Sequence, residues 1–418
     1  MSSTIAEKIL ARVSGQDIVR PGDEIKAKPD FVIAYDFPGY TDVIFRQMKE
    51  EFGIDRVADP DRFALFIDHM VPAVSPKEED LHQITRDWGH QNNVPVYERR
   101  GIGHHVASEL GYSVPGAFAV HFDGHISQMG TFGTLAMGLR KHLLEAFVKE
   151  HIKIRVPETV RVNLNGRLRD GVMARDVFHH IVRVLGPSAC RFQVLEIGGD
   201  ALPHISLDGR QTINCLAMFT GAVTSIMNPD EDALGYVKDR ARIDLDPVYS
   251  DPDASYAAVH DIEISDLEPV VVVPPRPSNT RNLVEHEGTE VHVGYLGSCA
   301  SGRIEDLEVA ARILRGREIK NGFQLNIVPT SQEIMEQAAK KGLLTDLIAS
   351  GAYVASSSCD YCFGRAGVMT AGQRAVSTGT LNVRGRMGSP DSEIFIMNAA
   401  AVAASALEGK ITDPRKYL

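Results

Sequence analysis

The sequence predicts an α/β protein with parallel sheets, divided into three domains, and three observations lead there. Strand-like apolar runs alternate with helix-period segments, most plainly after residue 280, a pattern that places parallel strands under helices on both faces. A chain of 418 residues exceeds what one hydrophobic core fills. The run Pro274-Pro-Arg-Pro-Ser278, directly after Val270-Val-Val-Val273, marks the sharpest break, because prolines at that density continue neither a helix nor a central strand. The expected domains are 1–155, 156–275 and 280–418.

The first domain opens with a short amphipathic helix over Thr4–Leu10, a turn at Pro21-Gly-Asp23 and an extended run, Phe31-Val-Ile-Ala-Tyr35, that ends at Asp36. Phe63-Ala-Leu-Phe-Ile67 reads as a buried strand that delivers Asp68 and His69 at its exit. Neighbouring side chains of an extended chain point to opposite faces, so this pair works together only if the chain turns there, as Pro72 suggests. Two further polar clusters follow, Gly101-Ile-Gly-His-His105 and Val120-His-Phe-Asp-Gly-His125. A histidine with a carboxylate supplies a group titrating near neutrality and a partner that fixes its tautomer, as proton transfer requires. A non-haem metal site and ordinary core or surface histidines are the competing readings.

In the second domain Val160–Leu164 alternates as a strand, and Val177, Ile181 and Val184 mark a helix ended by Gly186-Pro187. Gln193–Ile197 reads as a second strand, followed by an apolar run over 213–222. His179 and His180 are expected to be structural, and Cys190 and Cys215 to be small core residues. In the third domain Val291, Val293 and Tyr295 alternate, and Ile304, Leu307, Ala311 and Leu314 keep helical spacing, so Cys299 falls in a strand-to-helix turn. Phe323, Leu325 and Ile327 form another strand, Thr330-x-x-Glu333 a capping box, Ala352–Ser356 a short strand before Cys359, and Asn398 the cap of an Ala-rich helix that stops at Gly409.

Three cysteines carry the sharpest chemical signal: Cys299, and the Cys-x₂-Cys pair Cys359 and Cys362. Three thiolates so spaced can hold three corners of a cubane iron–sulfur cluster and leave one iron open. A structural zinc site and three unligated core cysteines fit the same spacing. The bulk composition narrows the setting. A net charge of −11 disfavours a nucleic-acid partner. An odd count of five cysteines, two of them in Cys-x₂-Cys, argues against a disulfide framework and for a reducing cytoplasm. The N-terminus lacks a basic segment followed by an apolar core, and the longest uncharged stretches, 212–229 and 394–407, are too polar or too short to span a membrane.

Gly297-Ser-Cys-Ala-Ser-Gly-Arg-Ile-Glu-Asp-Leu307 and the Cys359–Cys362 pair, with Thr4–Leu10 and Gly409–Pro414 at the ends, resemble the aconitase superfamily, most closely the large subunit of 3-isopropylmalate dehydratase and homoaconitase. The resemblance implies three α/β domains around a central cluster-binding cleft, with the family's swivelling domain supplied by a separate small subunit. It implies a [4Fe–4S] cluster on Cys299, Cys359 and Cys362, whose free iron takes the hydroxyl and a carboxylate of a small hydroxy acid. Asp68-His69 matches the family's Asp-His-x-x-Pro, His104 its Gly-Ile-x-His, and Asp123 with His125 its Asp-Ser-His-Thr. By these matches His69, oriented by Asp68, protonates the leaving hydroxyl, His104 with Asp123 forms a supporting pair, and His125 stands beside the reacting oxygen. Arg386, with Arg384, is expected to hold a carboxylate, and Ser377 and Thr378 to line the same wall.

Several positions depart from the pattern. Gly124 and Ile126 interrupt Asp-Ser-His-Thr, Cys215 and Phe219 stand where the family has Asn and Glu, and Leu381 replaces an arginine, while Arg384 is new. Losing a bidentate carboxylate contact, about 1.5–3 kcal/mol, is enough to change substrate. The implied function is therefore a hydro-lyase large subunit with an altered substrate pocket. The rival is a non-catalytic relative that keeps its cluster for iron or redox sensing or for assembly. RNA binding, known for some relatives, is disfavoured by the acidic charge.

Overall fold

The computed structural model describes residues 2–36, 40–140, 142–244 and 246–418. Their strands form three sheets built mainly of parallel pairs, plus a two-stranded antiparallel ribbon of Glu24–Ala27 with Ile152–Arg155. In the first sheet the spatial order is Val96–Glu98, Phe63–Ile67, Phe31–Tyr35, Phe118–His121, Leu135–Gly138, all parallel. The chain therefore starts at the centre, winds to one edge, and returns to build the other side. Both faces of such a sheet are covered, and accordingly Phe31–Tyr35 and Phe63–Ile67 are buried at every residue.

The second sheet, in the order Thr224–Met227, Val194–Gly198, Thr159–Asn165, Ala258–Glu263, is also parallel throughout. The third has a parallel core in the order Tyr353–Val354, Gln324–Ile327, Val293–Leu296, Arg374–Ser377, Glu393–Ile396, which repeats the winding of the first. Val270–Val272 extends it antiparallel beside Glu393–Ile396, and Thr280–Asn282 adds the antiparallel edge strand. The proline-dense run thus joins two strands of one sheet, where its missing N–H groups are tolerated, and the passage from the second sheet to the third falls at 264–269.

Chain signals account for most element ends. Thr4 and Glu7 form a reciprocal capping box, and the first helix runs Ile5–Ser14, longer than its apolar spacing suggested. Asn398 caps Ala399–Glu408, and Gly409 closes it with φ 67°. The helix Gln332–Lys340 is capped by Ser331 instead of Thr330, whose hydroxyl is taken by the Ser301 carbonyl at 2.7 Å. The first and third sheets are stitched together by backbone bonds: Ile102 N donates to Thr330 O at 2.9 Å and Gln332 N to Arg100 O at 2.8 Å.

Candidate active site

In open α/β sheets, ligands bind beyond the carboxyl ends of the strands where the winding reverses. In the first sheet that point lies between Phe31–Tyr35 and Phe118–His121, and in the third between Val293–Leu296 and Arg374–Ser377. The carboxyl ends of the two sheets meet: Cys359 N, after the edge strand Tyr353–Val354, donates to Asp68 O, after Phe63–Ile67, at 3.0 Å.

Asp68 leaves the strand Phe63–Ile67 fully buried, and the turn expected there is made by Met70 at φ 55°. His69 Nδ1 meets Asp68 Oδ1 at 2.6 Å, and Gly103 N donates to Asp68 Oδ2 at 2.6 Å. Gly103 permits that approach, since a Cβ there would sit 2.9 Å from Phe66 Cβ and 3.2 Å from Asp68 Oδ2. Behind them Asp36 accepts from Asp68 N at 3.3 Å, and His82 Nε2 stands 3.0 Å from both Asp36 Oδ2 and the His69 carbonyl. Asp36, Asp68 and His69 bring oxygen and nitrogen atoms within 4.8 Å of one another, a grouping that suits a cation, but both Asp68 oxygens are already engaged by His69 and Gly103.

The second carboxylate pairs differently from the expectation. Asp123 Oδ1 accepts from both the backbone N and ring Nδ1 of His125, each at 2.8 Å, because Asp123 caps the 3₁₀ segment Gly124–Phe132. His104 Nε2 lies 4.0 Å from Asp123 and 3.3 Å from the Tyr35 hydroxyl, which makes Tyr35 its nearer partner. The Tyr35 ring packs on His69, His104 and His121 at centroid distances of 5.0, 5.0 and 4.2 Å.

Electrostatics divides these imidazoles into two kinds. Burial drives His104 down to about 4 and holds His121 well below the ordinary range, so both are neutral. Burial also opposes a charge on His69, yet Asp68 and the Cys359 sulfur outweigh it and lift His69 well above 6.5. His125 rises to about 10 against the same burial, through Cys299 and Asp123. Two charged imidazoles thus face the thiols, with neutral ones behind.

Cys299 follows the strand Val293–Leu296, in a loop strained at Ser298, where φ is 89°. Two buried arginines fasten that loop. Arg175 donates to the carbonyls of Ala300, Thr378 and Gly379 at 3.1, 2.6 and 3.1 Å, and Arg303 to those of Cys299 and the Gln128 amide at 2.7 and 2.8 Å. Cys359 and Cys362 lie in a tight turn after Tyr353–Val354, anchored to the acid loop by the Asp360 carboxylate, which accepts from Met70 N at 2.7 Å and Val71 N at 3.0 Å. Arg386 Nε donates to Cys362 O at 2.9 Å, and its Nη2 stands 3.5 Å from the sulfur. Burial pushes Cys359 up to about 12 and would do the same to Cys362, but Arg386 brings Cys362 below its ordinary value.

Other expected residues lie elsewhere or are engaged in structure. Arg384 is exposed and lines a separate cavity of about 250 Å³ with Pro274, Pro275 and Asp391, because the turn at Gly385 turns it away from Arg386. The Thr378 hydroxyl is committed to the Gly297 backbone at 2.8 and 2.9 Å, and Ser377 Oγ accepts from Gly379 N at 2.8 Å, so both shape the Cys299 loop. Cys215 is a fully buried core residue, as expected, in the same apolar cluster as Cys299. Tyr35, Asp36, His82, Arg175 and Tyr295 belong to the site and were not singled out by sequence. Only the ending of an extended run at Tyr35-Asp36 carried a signal for two of them.

The three thiols fit an iron–sulfur cluster by donor chemistry and by the polar atoms around them. His125 Nε2 and the Tyr295 hydroxyl are buried with no hydrogen-bond partner among the described residues. His125 is acted on by Cys299 and Cys362, and Tyr295 by all three sulfurs. Orphaned polar groups of this kind call for a polar or charged occupant.

Comparison with known proteins identifies the family. A family described as "Aconitase family (aconitate hydratase)" matches residues 64–287 and 279–409. The chain is 37% identical over 422 positions to a protein named 3-isopropylmalate dehydratase large subunit 1 of Methanopyrus kandleri, covering 100% of both. It is 35% identical to the probable 3-isopropylmalate dehydratase large subunit of Methanothermobacter thermautotrophicus, covering 99% of both, and 35% identical to the Aquifex aeolicus large subunit, covering 99% of this chain and 97% of that one. Among solved structures, Thermococcus kodakaraensis aconitase X in its holo-form superposes with a TM-score of 0.50 at 10% identity, covering 90% of this chain and 88% of that one, a likeness of fold alone. The chain belongs to the aconitase family.

Proposed function

We propose that the chain is the large subunit of a hydro-lyase that adds or removes water across a C=C bond of a small carboxylic acid. The observation that carries this reading is geometric: two imidazole–carboxylate pairs, His69 on Asp68 at 2.6 Å and His125 on Asp123 at 2.8 Å, both facing the buried thiols. The full-length relatives named as dehydratase large subunits support it.

Cys299, Cys359 and Cys362 would hold a [4Fe–4S] cluster, which when bound supplies a Lewis acid that polarises a C–O bond. Hydroxide is a poor leaving group, so an acid must deliver a proton to it. His69 is that acid: its Nδ1 is held by Asp68, and its ring lies against the Cys359 thiol, beside where the cluster would sit. His125, with Nδ1 on Asp123 and Nε2 unpartnered, stabilises negative charge at the same oxygen. Neutral His104 with Tyr35 fixes the orientation of this wall. Arg386 is the cation available for a substrate carboxylate. Leu381, where the resembled pattern has arginine, favours a substrate other than 3-isopropylmalate.

A separate small subunit would complete the site and provide the group that abstracts the carbon-bound proton, in keeping with the relatives' designation as large subunits. The test is anaerobic reconstitution with iron and sulfide, then assay with the small partner against maleate-, citraconate- and aconitate-like acids. Turnover of at least one of them and iron with acid-labile sulfide in the protein are expected. Stoichiometric zinc without sulfide, or no turnover of any acid, overturns the reading.

A further inference from the structure

A cavity of about 540 Å³ opens at the seam between the first two sheets and shares no lining residue with the candidate active site. It is bounded by the ribbon strand Ile152–Arg155, the end of Leu135–Gly138 and the turns that enter Val194–Gly198 and Thr224–Met227. It therefore sits at the amino ends of the second sheet, whereas the candidate active site is built at carboxyl ends. Its floor is apolar and its rim cationic. Met137 and Val156, both buried, form the floor with half-buried Val223, and exposed Lys153, Arg155 and Arg191 form the rim. Glu158, the acid lining the cavity, is engaged by Gln193 Nε2 at 2.9 Å, and Arg155 meets exposed Glu24 at 3.3 Å. Neither Lys153 nor Arg191 forms an ion pair among the described residues. In a chain of net charge −11, three cations over an apolar floor are a local reversal of sign. Phe192 also lines the cavity, with its ring 70% exposed and its backbone at φ 61°, a conformation unfavourable for a bulky residue. The turn that holds it there is closed by Gln193 N on Cys190 O at 2.9 Å and Phe192 N on Gly221 O at 3.0 Å, and Arg191 stands 5.4 Å from the ring centre.

We propose that this cavity binds a small organic monocarboxylate, its carboxylate held at the rim by Arg191 and Lys153 and its hydrocarbon body laid on Met137, Val156 and Phe192. The volume is usual for a small-molecule pocket, and so is an apolar lining with a few charged groups that orient the ligand. An organic cation would meet three like charges at the rim. An inorganic anion would leave the apolar floor uncovered. The site stands on this cavity and does not depend on the hydro-lyase reading.

The test is isothermal titration calorimetry of the full-length chain with hexanoate, using acetate and hexylamine as comparators. Saturable one-to-one binding of hexanoate is expected, roughly tenfold or more tighter than either comparator and weakened by added salt. The double variant Lys153→Glu, Arg191→Glu alters exposed side chains and should weaken hexanoate by roughly tenfold or more while keeping native circular dichroism. Hexanoate should also slow amide hydrogen exchange in wild-type peptides spanning 153–158 and 190–193, a map that decides even if the variant misfolds. No saturable binding, a comparator as tight as hexanoate, or undiminished binding to the double variant overturns the proposal. So does protection in the peptides carrying Cys362 and Arg386, which would place the ligand in the cleft instead.

Discussion

At the scale of single residues, the site works through which groups are charged. Asp68 keeps His69 charged and ordered, so Asp68→Asn should lower kcat by roughly 10²–10⁴-fold with a smaller change in KM, read by steady-state kinetics of the reconstituted two-subunit enzyme. A change confined to KM would mean that His69 is not the acid. Arg386→Gln removes the cation beside Cys362 and should weaken substrate binding by about 1.5–3 kcal/mol, seen as a raised KM. Residue-level pairing was the part least legible in the chain. Asp123 was expected beside His104, but as the cap of the 3₁₀ segment Gly124–Phe132 it takes His125, two residues on, first. Arg384 and Arg386 look equivalent in sequence, and only the left-handed turn at Gly385 separates the exposed one from the one against the thiol.

Elements were far more legible, because periodicity and caps are local. The strands at 31–35, 63–67 and 293–296 and the helix Ile304–Leu314 stand where alternation and 3.6-residue spacing place them. Thr330 and Ser331 show the limit: both are good caps, and the choice is made by the distant carbonyl of Ser301. Ser331→Ala should therefore cost about 1 kcal/mol in chemical unfolding, the usual worth of an N-cap. At the start of the helix Gly103–Glu109 the constraint is one of space. Gly103→Ala forces a carbon against Phe66 and the Asp68 carboxylate, so about 1–3 kcal/mol of stability should be lost together with activity. A fully active Gly103→Ala enzyme would show that the Asp68–Gly103 bond does not position the acid.

On the scale of the whole molecule, Asp176 ties the second unit to the third. Its carboxylate accepts from Met173 N at 2.7 Å, Val270 N at 3.0 Å and Asn398 Nδ2 at 2.6 Å. Burial nonetheless raises it to about 6 from 3.8. With a folded pKa above the unfolded one, its contribution is complete below about 3.8 and is lost as pH rises through about 6. The difference in unfolding free energy between wild type and Asp176→Ala should accordingly shrink by ~1–3 kcal/mol across that interval, and a difference that grows with pH would refute the assignment.

The Asp360 carboxylate, gripping the amides of Met70 and Val71, has a further consequence. On the proposed function, metal capture and proton delivery would share one hinge pin, so neither could drift without dragging the other. Natural variants that have abandoned catalysis should show the break at this clasp, and a lineage that preserves it is still under pressure to do chemistry.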